Sequence, residues 1–328
     1  MTFLIFIIVI VLIFDFINGF HDSANSIATI VSTKVLSPFA AVAMAATFNF
    51  VAFLIFPLKV AKTIGSGVID TEIVTLELIA AAVMAAIIWN LITWWLGLPS
   101  SSSHTLVGGL VGSAIASSGF GSVVYAGILK IAAFIIIAPV LGMLMSYLIT
   151  IIVLHVVKGQ SPFGVDKHFR RLQLLSASAF SLGHGGNDAQ KSMGIIWVAL
   201  YAMGKVPKDS DPALWIVLSC HAAIAMGTLF GGWRIVKTMG QKITKLKPFE
   251  GFCAETAGAL TLFMATGLGI PVSTTHTITG SIIGVGATKR ASAVKWGVTT
   301  KIFWAWILTI PVSAVIGAAL FYLVRVIA

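Results

Sequence analysis

One unusual phrase occurs twice in this chain of 328 residues. Leu98-Pro99-Ser100-Ser101-Ser102-Ser103-His104-Thr105 returns 172 residues later as Ile270-Pro271-Val272-Ser273-Thr274-Thr275-His276-Thr277. Each copy interrupts a long apolar stretch. Proline ends a helix, and a run of hydroxyl side chains follows it. Hydrocarbon cannot solvate such groups, so at membrane depth they must line a protein-buried or water-filled cavity. Paired interruptions at corresponding points of two halves mark the binding site of a carrier built from repeats.

The setting is a membrane. The chain is 58% hydrophobic and 10% charged, against about 25% charged residues in soluble domains. Its mean hydropathy is +1.01. Eight runs approach or exceed the length of a spanning helix: 2–18, 37–57, 73–96, 125–157, 174–203, 214–236, 251–268 and 302–327. The shorter runs 106–117 and 278–287 read as half-helices or re-entrant arms. Counting the arms, about 10–12 membrane segments are expected. Continuous apolar runs exclude an outer-membrane barrel, whose strands alternate. The N-terminal run lacks a basic leader and a small-residue cleavage site, so it reads as the first span. Cys220 and Cys253 give neither a disulfide framework nor metal spacing.

The formal charge is +10, and its placement argues against nucleic acid. Lys158, Lys167, Arg170 and Arg171 share one loop. Lys237, Lys242, Lys245 and Lys247 share another, and Lys289, Arg290 and Lys295 a third. The intervening loops mix signs: Lys59, Lys62, Asp70 and Glu72 in one, Lys205, Lys208, Asp209 and Asp211 in the other. That is the positive-inside pattern of a multi-pass protein of the cell (inner or plasma) membrane.

Two further pairs extend the repeat. Phe20-His21-Asp22-Ser23-Ala24-Asn25-Ser26 answers Gly186-Asn187-Asp188-Ala189-Gln190-Lys191-Ser192, and Lys62-Thr63-Ile64-Gly65 answers Lys237-Thr238-Met239-Gly240. The three offsets, 166, 175 and 172, make the halves collinear. Residues 1–157 form the first repeat, 158–171 a basic cytoplasmic linker, and 172–328 the second repeat. Placing the basic loops and Lys34 inside puts both termini outside and gives the halves opposite orientation. The fold class expected is all-α, with two inverted repeats, broken helices and re-entrant hairpins.

The chemistry concentrates at the repeats. Asp15, Asp22, Asp188 and Glu255 lie inside apolar runs, where an acid defaults to a functional reading. Asp22 and Asp188 are mates. Glycines precede each (Gly19; Gly183, Gly185 and Gly186) and amides stand beside them (Asn25; Asn187). Glycine is expected to unwind these helices and free carbonyls. Carboxylate, amide oxygen and carbonyl together suit a hard cation such as sodium; the carboxylates could equally carry protons or cap neighbouring helices. The hydroxyls suit an anion. Helix N-termini present unpaired N–H groups and a partial positive charge, and two such ends meeting head-on would wrap a tetrahedral oxyanion. Ser102, Ser103 and Thr105, with Ser273, Thr274, Thr275 and Thr277, add neutral donors, and Lys191 one cationic contact. The competing reading is that they only cap short helices. His104 and His276 read equally well as structural, proton-carrying or metal-binding, and His21 and His184 share that ambiguity. Asp15 and Lys130 read as interfacial or interhelical polar contacts.

At these residues the chain resembles the inorganic phosphate transporter (PiT) family. FHDSANS with GGNDAQKS, GLPSSSSHT with GIPVSTTHT, and GFCAETAGA around Glu255 carry the resemblance. It spans essentially the whole chain. It implies a secondary carrier that imports inorganic phosphate, without a cofactor, coupled to Na+ or H+ by alternating access and often homodimeric. It implies cation roles for Asp22, Asn25 and Asp188, and phosphate roles for the hairpin hydroxyls and for Gln190 or Lys191. Glu255 matches a family acid. Two residues depart from the pattern. His21 stands where the family usually shows asparagine, and Asn49 where many relatives carry glutamate, which removes one negative charge near the site.

Sulfate is the nearest rival substrate, since some similar proteins look like sulfate permeases. Serine, histidine and aspartate at depth also allow an intramembrane hydrolase. A triad needs a single nucleophile, whereas here every candidate comes as a symmetric pair. A channel is the remaining class, and saturable coupled uptake separates it from a carrier.

Overall fold

The computed structural model describes residues 2–207 and 210–327, with nothing said of the side chain of residue 327. Lys208 and Asp209 of the mixed-charge loop therefore lie outside the described residues. Among those residues there are twelve α-helices and no strand longer than an isolated bridge. In the first half they are α1 (Thr2–Ser32), α2 (Pro38–Val51), α3 (Lys59–Ser66), α4 (Leu76–Leu96), α5 (Ser102–Ser118) and α6 (Tyr125–Val156). In the second half they are α7 (Pro162–Ala202), α8 (Leu214–Phe230), α9 (Trp233–Lys237), α10 (Pro248–Gly267), α11 (Thr274–Lys289) and α12 (Trp296–Ile327).

Four helices, α1, α4, α6 and α12, are long and apolar enough to cross a bilayer, and two bent pairs bring the number to six. The bends fall at the same place in each half. The α2 segment turns by 85° into α3, and α8 turns by 62° into α9 and its continuation through Lys242. Helix α7 carries too many polar residues to pass on hydropathy. It runs for 41 residues, about 60 Å at 1.5 Å per residue. Pro162 starts it behind an Ser161 N-cap, so most of the expected 158–171 linker is helix.

Helices α5 and α11 contain 17 and 16 residues. They begin earlier than the apolar runs 106–117 and 278–287 suggest. From Ser102 and from Thr274 onward the hydroxyl residues are not a loop; they form the first helical turns. Ser101 and Ser273 are the N-caps, accepting from the backbone N–H of His104 (3.3 Å) and His276 (3.2 Å). That is the ordinary way for a hydroxyl to start a helix.

The halves exchange partners. Helix α5 packs between α4 of its own half and α12 of the other; α11 packs between α10 of its own half and α6 of the other. Helix α1 lies against α4, α7 and α8, and α7 lies against α10, α1 and α2. The end of α1 meets the start of α7, where the Arg170 guanidinium donates to the Lys34 carbonyl at 2.9 Å. This end also holds Lys245 and Lys289, joined by a 2.8 Å bond from the Lys289 ammonium to the Lys245 carbonyl. At the opposite end Lys62 pairs with Asp211 at 2.9 Å and Tyr201 donates to Glu72 at 3.5 Å. Basic and mixed-charge loops thus segregate to opposite ends of the bundle.

One expectation fails. Helices α1 and α7 run unbroken through Gly19, Gly183, Gly185 and Gly186, so these glycines free no carbonyls. They serve close packing instead. A Cβ on Gly19 would press on the Ile224 backbone of α8, and one on Gly185 would sit 2.6 Å from the Asn49 Cα of α2. Small residues let helices approach in lipid, where tail and side chain are equally apolar and packing decides association.

Candidate functional site

The two signature helices, α1 and α7, pack against each other, and the first turns of α5 and α11 reach Asp22 and Asp188 there. Asp22 of α1 and Asp188 of α7 are buried together with His184, and one ligand atom from each lies within 4.8 Å of the others. Asp22 is held on three sides. Its Oδ1 faces His21 Nδ1 at 2.7 Å, and Thr275 Oγ1 reaches the same oxygen at 3.5 Å. Ser102 Oγ lies 2.8 Å from Asp22 Oδ2 and 2.7 Å from Asn18 Oδ1, so its single proton serves one of two acceptors. Asp188 Oδ2 accepts from Thr274 Oγ1 at 3.0 Å and faces His184 Nε2 at 3.1 Å.

Lys191 ties the two hairpins to one helix. Its ammonium donates to Asp188 Oδ1, to Ser103 Oγ of the first hairpin, and to the Val272 carbonyl of the second at 3.0 Å. All three protons are thereby engaged. Asn25 Nδ2 donates to Thr275 Oγ1 (2.9 Å) and Thr274 Oγ1 (3.2 Å), which leaves its buried Oδ1 without a partner. An unpaired amide oxygen beside two carboxylates is the acceptor set a hard cation takes. Asn187 also leaves its Oδ1 unpaired, but its Nδ2 donates to Thr266 at 2.9 Å and to the Ile270 carbonyl at 3.3 Å. Its role toward the α10–α11 break is therefore to hold that turn.

The hydroxyls divide into two sets. Ser102, Ser103, Thr274 and Thr275 face Asp22, Lys191, Asn25 and Asp188. Thr105 and Thr277 donate back to the carbonyls of Ser101 (2.8 Å) and Ser273 (2.9 Å), and Ser273 caps α11. Thr105 and Ser273, expected at the phosphate, engage backbone in this structure, as residues at the N-cap and one turn on commonly do. Gln190, expected at the phosphate, bonds to backbone in this structure. Its Oε1 accepts from Val60 N (3.0 Å) and Ala61 N (3.3 Å), and its Nε2 donates to the carbonyls of Pro57 (3.0 Å) and Gly186 (2.7 Å). The amide secures the start of α3 and has no donor left for an anion.

The sets predict different mutants. Thr105→Val and Thr277→Val each lower the melting temperature by an amount matching about 1 kcal/mol and leave solute uptake near wild type. Ser103→Ala and Thr274→Val lower melting by at least as much, since their partners are buried, and also weaken uptake several-fold. Equal uptake defects in both sets would dissolve the division.

Glu255 lies apart from the chamber. It accepts from Thr29 Oγ1 (2.5 Å), Gln173 Nε2 (3.1 Å) and Ser176 Oγ (2.5 Å). Thr29 stands seven residues from Asp22, about 10 Å along α1, toward the basic end. His104 and His276 meet at the helix tips, ring centroids 4.8 Å apart, and His276 stacks on Trp306 at 3.8 Å. Three participants escaped sequence reasoning. Asn18 was findable as the residue one turn before Asp22 on the same face. The Val272 carbonyl and Trp306 carry no local signal. Asn49 gains a place: its Oδ1 faces His184 Nδ1 at 3.0 Å, and its Nδ2 donates to Thr228 at 2.9 Å. Asp15 is buried on α1 beside Ser192 of α7 and Cys220 of α8. Lys130 lies exposed on α6.

Comparison with known proteins places the chain in a family. Residues 18–317 match the Phosphate transporter family. The chain belongs to that family. It is 57% identical over 97% of its length, and 96% of the relative's, to the "Probable low-affinity inorganic phosphate transporter" of Rhizobium meliloti. It is 44% identical to the protein of the same description in Bacillus subtilis, over 98% and 97% of the two chains. Among solved structures it superimposes on "The sodium-dependent phosphate transporter" with a TM-score of 0.89, at 26% identity, over 100% of both chains. The family consists of transporters and not of enzymes, so the paired serine, histidine and aspartate have no hydrolytic reading. As a member with several apolar spans, the chain is a multi-pass membrane protein.

Proposed function

We propose that this protein imports inorganic phosphate coupled to a cation gradient, sodium or proton, with the chamber between α1, α7, α5 and α11 as the shared binding site. The observation that carries the reading is the placement of Lys191 between Asp188 and both hairpins. The chamber holds two carboxylates, Asp22 and Asp188, and one ammonium, Lys191, which pairs with Asp188, so its acids outnumber its lysine by one negative charge. A phosphate anion is repelled from such a place. A cation taken by Asp22, Asn25 and Asp188 cancels that excess and frees the Lys191 ammonium from Asp188 to meet the anion, alongside Ser102, Ser103, Thr274 and Thr275. Each ligand then favours binding of the other, which is what coupling requires.

The halves act as inverted repeats, 1–157 and 172–328, and gate the chamber in alternation. Support comes from the antiparallel run of α1 and α7, the exchange of α5 and α11 between halves, and the segregation of basic loops to one end. With that end cytoplasmic, both termini lie outside. Glu255, one stage toward the basic end, receives the cation on its way out.

Uptake of labelled phosphate into proteoliposomes, with sodium and proton gradients imposed separately, tests the reading. One of the two gradients is expected to drive accumulation, and unlabelled sulfate to compete poorly. Hydrogen phosphate brings a donor for the chamber's carboxylates that sulfate lacks. Equal competition by sulfate, or uptake indifferent to both gradients, would refute it.

A further inference from the structure

Two cavities outside the chamber adjoin each other on the α11–α12 side of the bundle. The first is a groove of about 290 Å³ between α6, α11 and α12. It is lined by apolar side chains from Trp296 to Ile307, with Gly280, Ile283 and Trp306 as its inner wall. From Trp296 to Ile307 α12 advances about 16 Å, the depth of one leaflet of a hydrocarbon core of about 30 Å. The second is a pocket of about 520 Å³ at the basic end, lined by Thr244, Lys245, Lys289, Arg290, Ser292 and Lys295. Lys295 borders the pocket, and the next residue, Trp296, borders the groove.

The pocket has charge to spare. Lys289 pairs with Glu250 at 2.8 Å. Among the described residues no acid pairs with Lys245, Arg290 or Lys295. Trp296 is 49% exposed and its Nε1 donates to the Ala291 carbonyl at 2.9 Å. An indole so placed at the head of a spanning helix marks the depth of lipid headgroups.

We propose that pocket and groove together bind one anionic phospholipid, its phosphate among Lys245, Arg290 and Lys295 and one acyl chain along α12. Cations alone would suit any phosphate, and an apolar groove alone would suit any tail. Their meeting at Lys295 and Trp296 fits a molecule with both parts and a net negative charge. The groove also reaches the transport machinery. Trp306 forms part of its inner wall, stacks on His276 of the second hairpin and donates to the Pro99 carbonyl of the first at 2.9 Å. A chain seated there holds Trp306 against both hairpin tips, so the lipid acts as a positioning ligand.

Native mass spectrometry of the purified full-length protein, titrated with phosphatidylglycerol or phosphatidylcholine, tests this without reference to uptake. One phosphatidylglycerol per chain is expected to be retained in preference to phosphatidylcholine. Each cation removed weakens retention about fivefold, so Lys245→Gln, Arg290→Gln and Lys295→Gln combined lose on the order of a hundredfold. Ile307→Trp, which fills the groove and keeps the charges, also lowers retention. Lys237→Gln with Lys242→Gln, basic positions outside the pocket, changes nothing. Uptake into phosphatidylcholine vesicles rises on adding phosphatidylglycerol for the wild type only. Equal retention by the triple variant, equal affinity for phosphatidylcholine, displacement by millimolar inorganic phosphate, or a dimer-to-monomer change in Ile307→Trp with lipid retention intact would each overturn the proposal. The last would show a second copy covering the groove.

Discussion

Asp22→Asn and Asp188→Asn each abolish cation-driven phosphate uptake, with a loss on the order of a hundredfold or more. The substitution keeps shape and removes charge. At Asp188 it takes away the carboxylate that faces His184 and holds the Lys191 ammonium between the hairpins. At Asp22 it takes away the acceptor of Ser102 and the partner of His21. A cation that needs both carboxylates then finds one, and the anion meets a site whose charge no longer responds to the cation. Phosphate counterflow, which needs no gradient, is the second readout. A defect of coupling spares part of it, whereas a defect of folding removes all of it. Wild-type gradient-driven uptake by both variants would end the assignment of the cation to these residues.

Gly227→Val is expected to destabilise the fold by more than about 4 kcal/mol, the range of severe overpacking. Helices α1 and α8 touch through reciprocal glycines. A Cβ at Gly19 would lie 2.9 Å from the Ile224 carbonyl carbon, and one at Gly227 would lie 2.9 Å from that of Phe16 and 3.0 Å from the Phe20 amide. All of these are backbone atoms, so no side-chain rotation relieves the clash. The helices must separate, and Asp22 sits one turn beyond Gly19 on α1. Yield of monodisperse protein and its melting temperature measure the effect, with Gly227→Ala intermediate between wild type and valine. Wild-type melting of the valine variant would show that the contact yields more easily than its backbone geometry implies.

The glycines also show where sequence reasoning stops. Glycine beside an intramembrane acid is compatible with an unwound helix and with a close helix contact, and nothing local separates the two. Only the approach of α8 to Gly19 and of α2 to Gly185 decides for packing. The hydroxyl runs pose the same difficulty. The duplicated phrase announces helix starts and a polar chamber together, but not which residue does which. The helical period of 3.6 residues settles it: Ser101 and Ser273 fall at the N-cap, Thr105 and Thr277 one turn on, and the residues between face α1 and α7. Gln190 follows Asp188 by two residues and reads as part of the same site. That spacing turns a helix by about 200°, which sends its amide to the backbone of residues 57–61 instead.

What the sequence by itself determined is the class of molecule and the identity of its acids. Apolar runs at membrane length, basic loops at alternate turns and a repeated hydroxyl phrase leave few folds open, because hydrocarbon penalises every unsatisfied polar group wherever the chain goes. What only the tertiary structure decided is which polar atoms face one another. Lys191 bridging two hairpins, the Val272 carbonyl, and Trp306 between His276 and Pro99 all depend on helices far apart in the chain. Their distances are fixed by how closely backbones pack, and no local pattern encodes that.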